Sequence, residues 1–496
     1  MDIPDREANV FTRPLTRRSI LKTAAAAPVA AFLAACGSAA TTPAPATPAP
    51  ATAAPATAAP ATAAPATAAP ATAAPATPVA TPIPSVAPER FEGITVNVFS
   101  GTAITPKLQF LQKGWEDLTG GTVVVTNIPY AERRAKLAAL IATQDSSYDL
   151  GYAYESWIPG FDERLYVDIS ERAGDTSDFL PGVLNSLRSP ATGHLLALPM
   201  YSDQWTWHYN KELHQQAGLD PENPPRTWQE YFEAAPAFRA ADKYASAAVW
   251  LATLQAIPIF LWTVFWNSYG KPMFSQDRTQ VLFDTEEGLQ TFRTIEDGIK
   301  AGFWDPNGMS LAHEGETALL FNQGLIAGHM GWGSYWVQVR SGNVADFNAK
   351  IKPEVVGVAT IPGIESGQSG TVNGSEGIGL LKFSQKQDAA LSFLKYASSA
   401  PQEKETFLGN DPNASTLTPS RTSVLNDPDV QAKFSIGSVW AEQGTFQNSL
   451  HAAPYDPAPI FAEVLAKLAK GEFTGAQAHA AAVEGCQNLI ITYLSS

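Results

Sequence analysis

His194–Lys211 reads HLLALPMYSDQWTWHYNK. An apolar run of the kind that ends a buried strand stops at Pro199, after which Tyr201, Asp203, Trp205, Trp207 and Tyr209 follow at every second position. On one strand those five side chains would share a face, because side chains alternate across a sheet. Two readings fit. In the first, a strand leaves one packed body, is kinked by proline and enters a second body with a carboxylate and a row of rings behind it; small-molecule sites tend to lie at such crossovers between lobes. In the second it is one ordinary strand with a half-buried aromatic face.

The 496 residues, 45% of them hydrophobic and 16% charged, are too many for a single core and imply two bodies with an additional segment. That segment is at the front. Residues 16–22 (TRRSILK) form a twin-arginine run, and a short apolar stretch from Thr23 ends in Leu33-Ala34-Ala35-Cys36. The stretch is too short for a permanent membrane helix and reads as an export signal. Leu-Ala-Ala-Cys resembles a bacterial lipobox, which implies that Cys36 becomes the lipidated first residue of the mature chain. Residues 1–36 are therefore expected to be a lipoprotein signal, exported by the twin-arginine or general secretory route. The mature protein is expected at the extracytoplasmic face of the bacterial membrane.

Residues 37–89 are dominated by ATAAP repeats. Proline at every fifth position forbids a continuous helix, and no large side chains exist to bury. The segment reads as an extended tether, reaching on the order of 150 Å at ~3.1 Å per residue. The other cysteine, Cys486, falls in a helical pattern and reads as a small buried apolar residue. The formal charge is −15. An acidic chain with no basic cluster argues against nucleic acid as a partner.

From Phe91 the texture changes to alternating strands and helices. ITVNVF is a strand; Thr105-Pro106 caps a helix carrying Leu108, Leu111, Trp115 and Leu118, which Gly120-Gly121 ends. TVVVT, a helix over 130–143 and a strand over 148–153 complete a β-α-β-α-β pattern, that of a parallel sheet. Ligands of such sheets bind beyond the carboxyl ends of the strands, here Ser100-Gly101-Thr102 and Tyr154-Glu155-Ser156-Trp157. Further along, Thr227 and Glu230 are spaced as a capping box. Residues 257–270 are dense in rings that mostly suit a core, and glycines flank Trp332. Residues 371–379 read as a glycine-rich loop, with helices over 386–398, 459–470 and 476–493.

Four segments in order carry a resemblance that runs from about Ile94 to the C-terminus: the sheet pattern through SSYDLGYA; LPMYSDQWTWHYNKELHQQAGL before PPRTWQEYFEAA; FNQGLIAGHMGWGSYW; and IPG with NGSEGIGLLKFSQKQDAALSFLKYAS. The chain resembles the family 1 extracellular solute-binding proteins of bacterial ABC importers, the maltose-binding-protein-like group. The resemblance implies an α/β, two-lobed periplasmic-binding-protein-like fold that closes on a solute about hinge crossovers. Residues 90–199 and 375–408 would form lobe 1, and 200–374 and 409–496 lobe 2. In the family's pattern a carboxylate four residues after the crossover proline binds sugar hydroxyls, which falls on Asp203. The loop after the third strand supplies Tyr154, Glu155 and Trp157. The family's stacking ring falls on Tyr335, with Trp332 close by. An aromatic helix points to Trp262, a late aromatic to Tyr455, and the loop around Asn373 adds a polar contact.

The chemistry suits a carbohydrate. Rings stack on the C–H faces of a sugar, and carboxylates or amides accept from its hydroxyl rim. For each residue the alternative is packing or a solvent-facing role, and for Asp203 a hydrogen bond within the hinge. The expectation is a lipid-anchored, monomeric, non-enzymatic binding component that hands a sugar or oligosaccharide to ABC permease subunits, with no cofactor and no metal. Another solute, such as a polyamine, a glycerol phosphate or a peptide, would keep the fold, as would a sensory or adhesive use. A glycoside hydrolase would employ Asp203 and Glu155 as its carboxylate pair. The chain contains no G-x-S-x-G elbow, no G-x-x-x-x-G-K-[ST] phosphate loop and no H-E-x-x-H zinc helix.

Overall fold

In the computed structural model, which describes residues 89–250, 256–311, 314–336, 351–364, 368–410, 414, 417–444 and 454–495, the strands form two separate sheets. Cys36 and the expected signal and tether up to residue 88 lie outside the described residues. The strands are β1 (Thr95–Gly101), β2 (Thr122–Ile128), β3 (Leu150–Tyr154), β4 (Ala197–Tyr201), β5 (Trp205–Asn210), β6 (Gly328–Trp332), β7 (Val356–Ala359) and β8 (Glu376–Leu380). The first sheet has the order β2-β1-β3-β8-β4 and the second β6-β5-β7.

β1 runs parallel to β2 and β3, joined by the helices Thr105–Thr119 and Tyr130–Thr143, as the alternating pattern predicts. One start differs: Ile104 is the cap of the first helix, and the Thr105 hydroxyl donates to the Gly101 carbonyl at 2.9 Å. β8 lies antiparallel between β3 and β4. The sequence reading makes residues 371–379 a loop; their last part is instead strand. Its glycines serve close packing: a Cβ on Gly377 would come within 2.8 Å of the Leu198 carbonyl oxygen and 2.6 Å of a Leu187 methyl. Local propensity cannot report a need set by distant neighbours.

β4 is the edge strand of its sheet, where the N–H that Pro199 lacks is least missed, and its register shifts between Pro199 and Tyr201. Three residues later the chain re-enters regular structure as β5, the centre of the other sheet. His194–Lys211 is thus a crossover between two lobes. The expected five-membered row is broken, because residues 202–204 belong to neither sheet. Trp205, Trp207 and Tyr209 keep a common buried face. Trp207 packs on Trp228 and Tyr231, and its indole N–H donates to the Tyr231 hydroxyl at 2.6 Å. Trp228 opens a helix (Trp228–Ala240) held by the predicted Thr227/Glu230 capping box. The helices Ala256–Asn267, Glu286–Lys300, Ala458–Ala469 and Gly475–Leu494 complete this lobe, with Cys486 fully buried as expected.

A second crossover runs against the first. Gly374 N–H donates to the Asp203 carbonyl at 2.8 Å, the Thr371 hydroxyl to the Trp205 carbonyl at 2.7 Å, and Gln204 pairs with Asn373 as an isolated bridge. Ser202 N–H reaches the Thr418 carbonyl at 2.9 Å, adding a third strand of chain beside the first two.

Candidate functional site

Asp203 sits in the first crossover with only 7% of its surface exposed. One carboxylate oxygen accepts from Gln204 N–H at 3.0 Å and Gly333 N–H at 3.1 Å, and the other from the Ser334 hydroxyl at 3.0 Å. Its own N–H donates to the Ser375 hydroxyl at 3.0 Å. The side chain therefore pins the turn after β6 to the first crossover, and the backbone of Asp203 holds the second. Burial pushes its carboxyl up to about 7, against the pull of these donors.

Beyond the carboxyl end of β3 the chain turns through Glu155–Trp157. Glu155 is buried and accepts from the Asn373 side-chain N–H₂ at 3.1 Å, while the Asn373 side-chain oxygen Oδ1 accepts from Ser375 N–H at 2.9 Å. Tyr154 and Trp157 meet edge to face, ring centroids 5.7 Å apart. Together with Tyr130, Arg134 and Ser156 they wall one side of a cavity of about 50 Å³; Phe260, Tyr455 and Asp456 from the second lobe wall the other. Tyr455 is fixed by packing on Phe274 and by its hydroxyl, which donates to the Arg278 carbonyl at 2.9 Å. Asp203 and Asn373 border a neighbouring cavity of about 110 Å³ with Leu180, Val183, Gln204 and Trp440. Of the expected residues, Tyr154, Trp157 and Tyr455 share one cavity, Asp203 and Asn373 share the next, and the Glu155–Asn373 bond connects the two.

Trp332 ends β6 half-buried against Trp205 and Phe260, at centroid distances of 5.6 and 6.3 Å. The ring of Tyr335, three residues beyond β6, lies 6.5 Å from that of His329. Trp262 borders neither cavity. It is fully buried, 5.7 Å from Trp266 and 4.7 Å from Phe461, inside the core of the second lobe.

Phe260, two residues earlier on the same helix, is the ring that reaches the cavity, and sequence reading missed it. It also missed a polar cluster beside Trp157. Arg133 donates to the Ile128 carbonyl at 2.7 Å, lies 4.5 Å from the Tyr152 ring centroid and stands 3.9 Å from Glu376, which accepts from the Tyr152 hydroxyl at 2.6 Å. Burial raises the Glu376 carboxyl above the usual range, and Arg133 and Tyr152 oppose it. The one available signal was Glu376 itself, a lone acid in a glycine-rich strand.

A wider concavity of about 800 Å³ lies elsewhere, an open groove lined by Tyr209, Asp220, Glu222, Arg226, Glu230 and Glu442 among others; none of the expected ligand residues borders it. Among the described residues no group of three or more His, Cys, Asp or Glu is placed to hold a metal ion.

The sequence profile of the bacterial extracellular solute-binding protein family matches residues 101–404. Among curated proteins, the sn-glycerol-3-phosphate-binding periplasmic proteins UgpB of Escherichia coli and Shigella dysenteriae are 36% identical over 145 residues, 27% of this chain. The chain spans about a third of the length of these curated relatives, 32% of each. Similar solved structures include maltose-bound MalE3 of T. maritima, with TM-score 0.64 and 19% identity over 80% of this chain and 100% of that one. The cyclic alpha-maltosyl-1,6-maltose binding protein of Arthrobacter globiformis has TM-score 0.66 and 20% identity over 81% and 100%. A solute binding protein from Agrobacterium vitis with bound D-mannitol has TM-score 0.62 and 20% identity over 82% and 99%. These likenesses establish a two-lobed periplasmic-binding-protein fold.

Proposed function

Because the chain belongs to the bacterial extracellular solute-binding protein family, we propose that it captures a carbohydrate between its lobes and delivers it to the permease of an ABC importer. The observation that carries this reading is the cavity whose rings come from both sides of the crossover, Tyr154 and Trp157 facing Phe260 and Tyr455, with the Glu155–Asn373 bond at its edge. Flat rings suit the C–H faces of a sugar, and carboxylate and amide groups suit its hydroxyls. Proteins of the same fold that bind maltose, a cyclic maltosyl-maltose and mannitol point the same way.

Small-molecule sites usually enclose about 300–1,000 Å³, well above the cavity's 50 Å³. Loading therefore requires the lobes to separate about residues 201–205 and 371–376. A solute that touches both lobes has more contacts when they close, so it shifts the population toward the closed form. The reading includes no catalytic step. It places the protein outside the cell as a monomer, held to the membrane by lipid on Cys36 and spaced from it by the tether; Cys36→Ser would release it from the membrane fraction.

Isothermal titration and thermal shift with neutral mono- and oligosaccharides test the proposal, and a rise in Tm with at least one of them is expected. Silence across the panel would refute carbohydrate capture. A second reading, capture of a glycerol phosphate, draws support from the names of the curated relatives and from Arg134 in the cavity wall. sn-Glycerol 3-phosphate belongs in the same panel. Turnover of an aryl glycoside would instead indicate a hydrolase built on Glu155 and Asp203.

A further inference from the structure

The second lobe sends a short excursion, residues 273–282, toward the first. Phe274 pairs with Val281 as an isolated bridge, and Leu282 N–H donates to the Met273 carbonyl at 3.0 Å. Inside the turn, Asp277 accepts from the Ser275 hydroxyl at 2.6 Å and from Thr279 N–H at 3.2 Å. The tip crosses to the other lobe, where the Gln276 side-chain amide donates to the Pro190 carbonyl at 3.3 Å.

Arg278 follows that contact with φ 60°, a left-handed backbone that side chains rarely adopt and glycine adopts freely. Its carbonyl is held by the hydroxyl of Tyr455, which lines the two-sided cavity. Its Nε is buried and has no acceptor. Buried donors are nearly always paired, because an unmade bond costs the desolvation of the group. One terminal nitrogen of the guanidinium donates within the turn, to the Ser275 carbonyl at 3.4 Å, so the Nε is the buried donor left for a guest. Burial works against the charge of this guanidinium, and Tyr455, Glu155 and Asp277 favour it.

We propose that Arg278 is a specificity-determining contact of the cleft, its Nε donating to a hydroxyl oxygen of a neutral polyhydroxylated solute as the lobes close, an inference that rests on the carbohydrate reading above. The charge balance selects a neutral guest. Arg278 is set against the carboxylates of Glu155 and Asp277, and Arg134 shares the cavity wall with Asp456. A phosphate or carboxylate would leave a negative charge uncompensated, whereas a hydroxyl accepts the bond and adds no charge.

The test compares the parent with Arg278→Gly by isothermal titration against maltose, maltotriose, mannitol and sn-glycerol 3-phosphate, with Tm measured in parallel. Glycine relieves the left-handed strain, so Tm should hold or rise while Kd for the bound neutral solute weakens at least tenfold. Should that variant fail to fold, Arg278→Asn, which tolerates the same backbone, is read with the same outcomes. Unchanged affinity in the variant overturns the contact and leaves carbohydrate capture standing. Preference of the parent for the phosphate ester over every neutral solute overturns the neutral class. Absence of any sugar binding by the parent removes the function and this contact together.

Discussion

The side-chain amide of Asn373 donates to the Glu155 carboxylate across 3.1 Å, tying the second crossover segment to the turn that closes β3. Both residues are buried, and Asn373 also pairs through its backbone with Gln204 on the first crossover. Any rotation of one lobe against the other must carry this bond along or break it.

Asn373→Ala removes that donor and also the acceptor of Ser375 N–H. Loss of hydrogen bonds to a buried charged group costs about 1–3 kcal/mol. Urea unfolding should show a loss of that size with an unchanged m-value, and solute affinity should fall with it, because Glu155 loses a group that orients it. A variant as stable as the parent would count against the bond as a tie between lobes.

Asp203→Asn isolates a titration. The amide oxygen can take over the bonds from Gln204 and Gly333, and the amide N–H₂ can donate to the Ser334 hydroxyl, so the shape is kept. In the parent, burial raises the carboxyl from 3.8 to about 7. Between those values the folded form holds a proton that the unfolded chain has lost, so this group's contribution to stability is fully present below the lower value and declines as pH rises through the upper one. The Tm of Asp203→Asn relative to the parent should therefore climb from pH 4 to pH 7 and then level. Parallel pH profiles for the two proteins would place the carboxyl in the ordinary range.

What the sequence made legible follows from what each residue type must do locally. Pro199 marked the crossover because proline cannot serve in the middle of a sheet, and Thr227 with Glu230 marked a helix start because a capping box is written in adjacent residues. The Glu155–Asn373 bond, the Arg133–Glu376 pair and the Gln276–Pro190 contact were invisible, since each joins parts of the chain far apart in sequence. β8 was misread for the same reason: its glycines answer to Leu187 and Leu198, not to a turn.

His208 and His329 face each other on neighbouring strands with ring centroids 5.0 Å apart. Burial pushes His208 down to about 4, and burial together with His208 pushes His329 well below its usual value. The unfolded chain takes up protons below about 6.5 while the folded pair stays neutral, so this contribution is intact above that pH and is lost as pH falls through about 4. That trend opposes the one from Asp203, and only variants separate them. His329→Phe fits beside Phe321, whose ring lies 4.9 Å from that of His329, and removes a buried Nδ1 that has no partner. It should raise Tm more at pH 5 than at pH 8. An equal shift at both values would mean that the folded ring takes up its proton as readily as the unfolded chain does.

Phe260 and Trp262 stand two residues apart on one helix, and at 100° per residue their side chains leave it about 200° apart. Only one can meet the cavity, and that one is Phe260; Trp262 is enclosed by Trp266, Phe283, Phe292 and Phe461. Periodicity could name the aromatic helix but not its orientation, which the rest of the lobe decides. The two roles come apart experimentally. Trp262→Ala opens a core cavity and should cost about 3–5 kcal/mol in urea unfolding, with the Kd of the folded protein for its solute within twofold of the parent. Trp157→Ala removes a ring that already borders the cavity, so its stability loss should be smaller while Kd weakens at least tenfold. If the two variants exchanged these behaviours, the binding wall would have to be moved from the turn after β3 into the core of the second lobe.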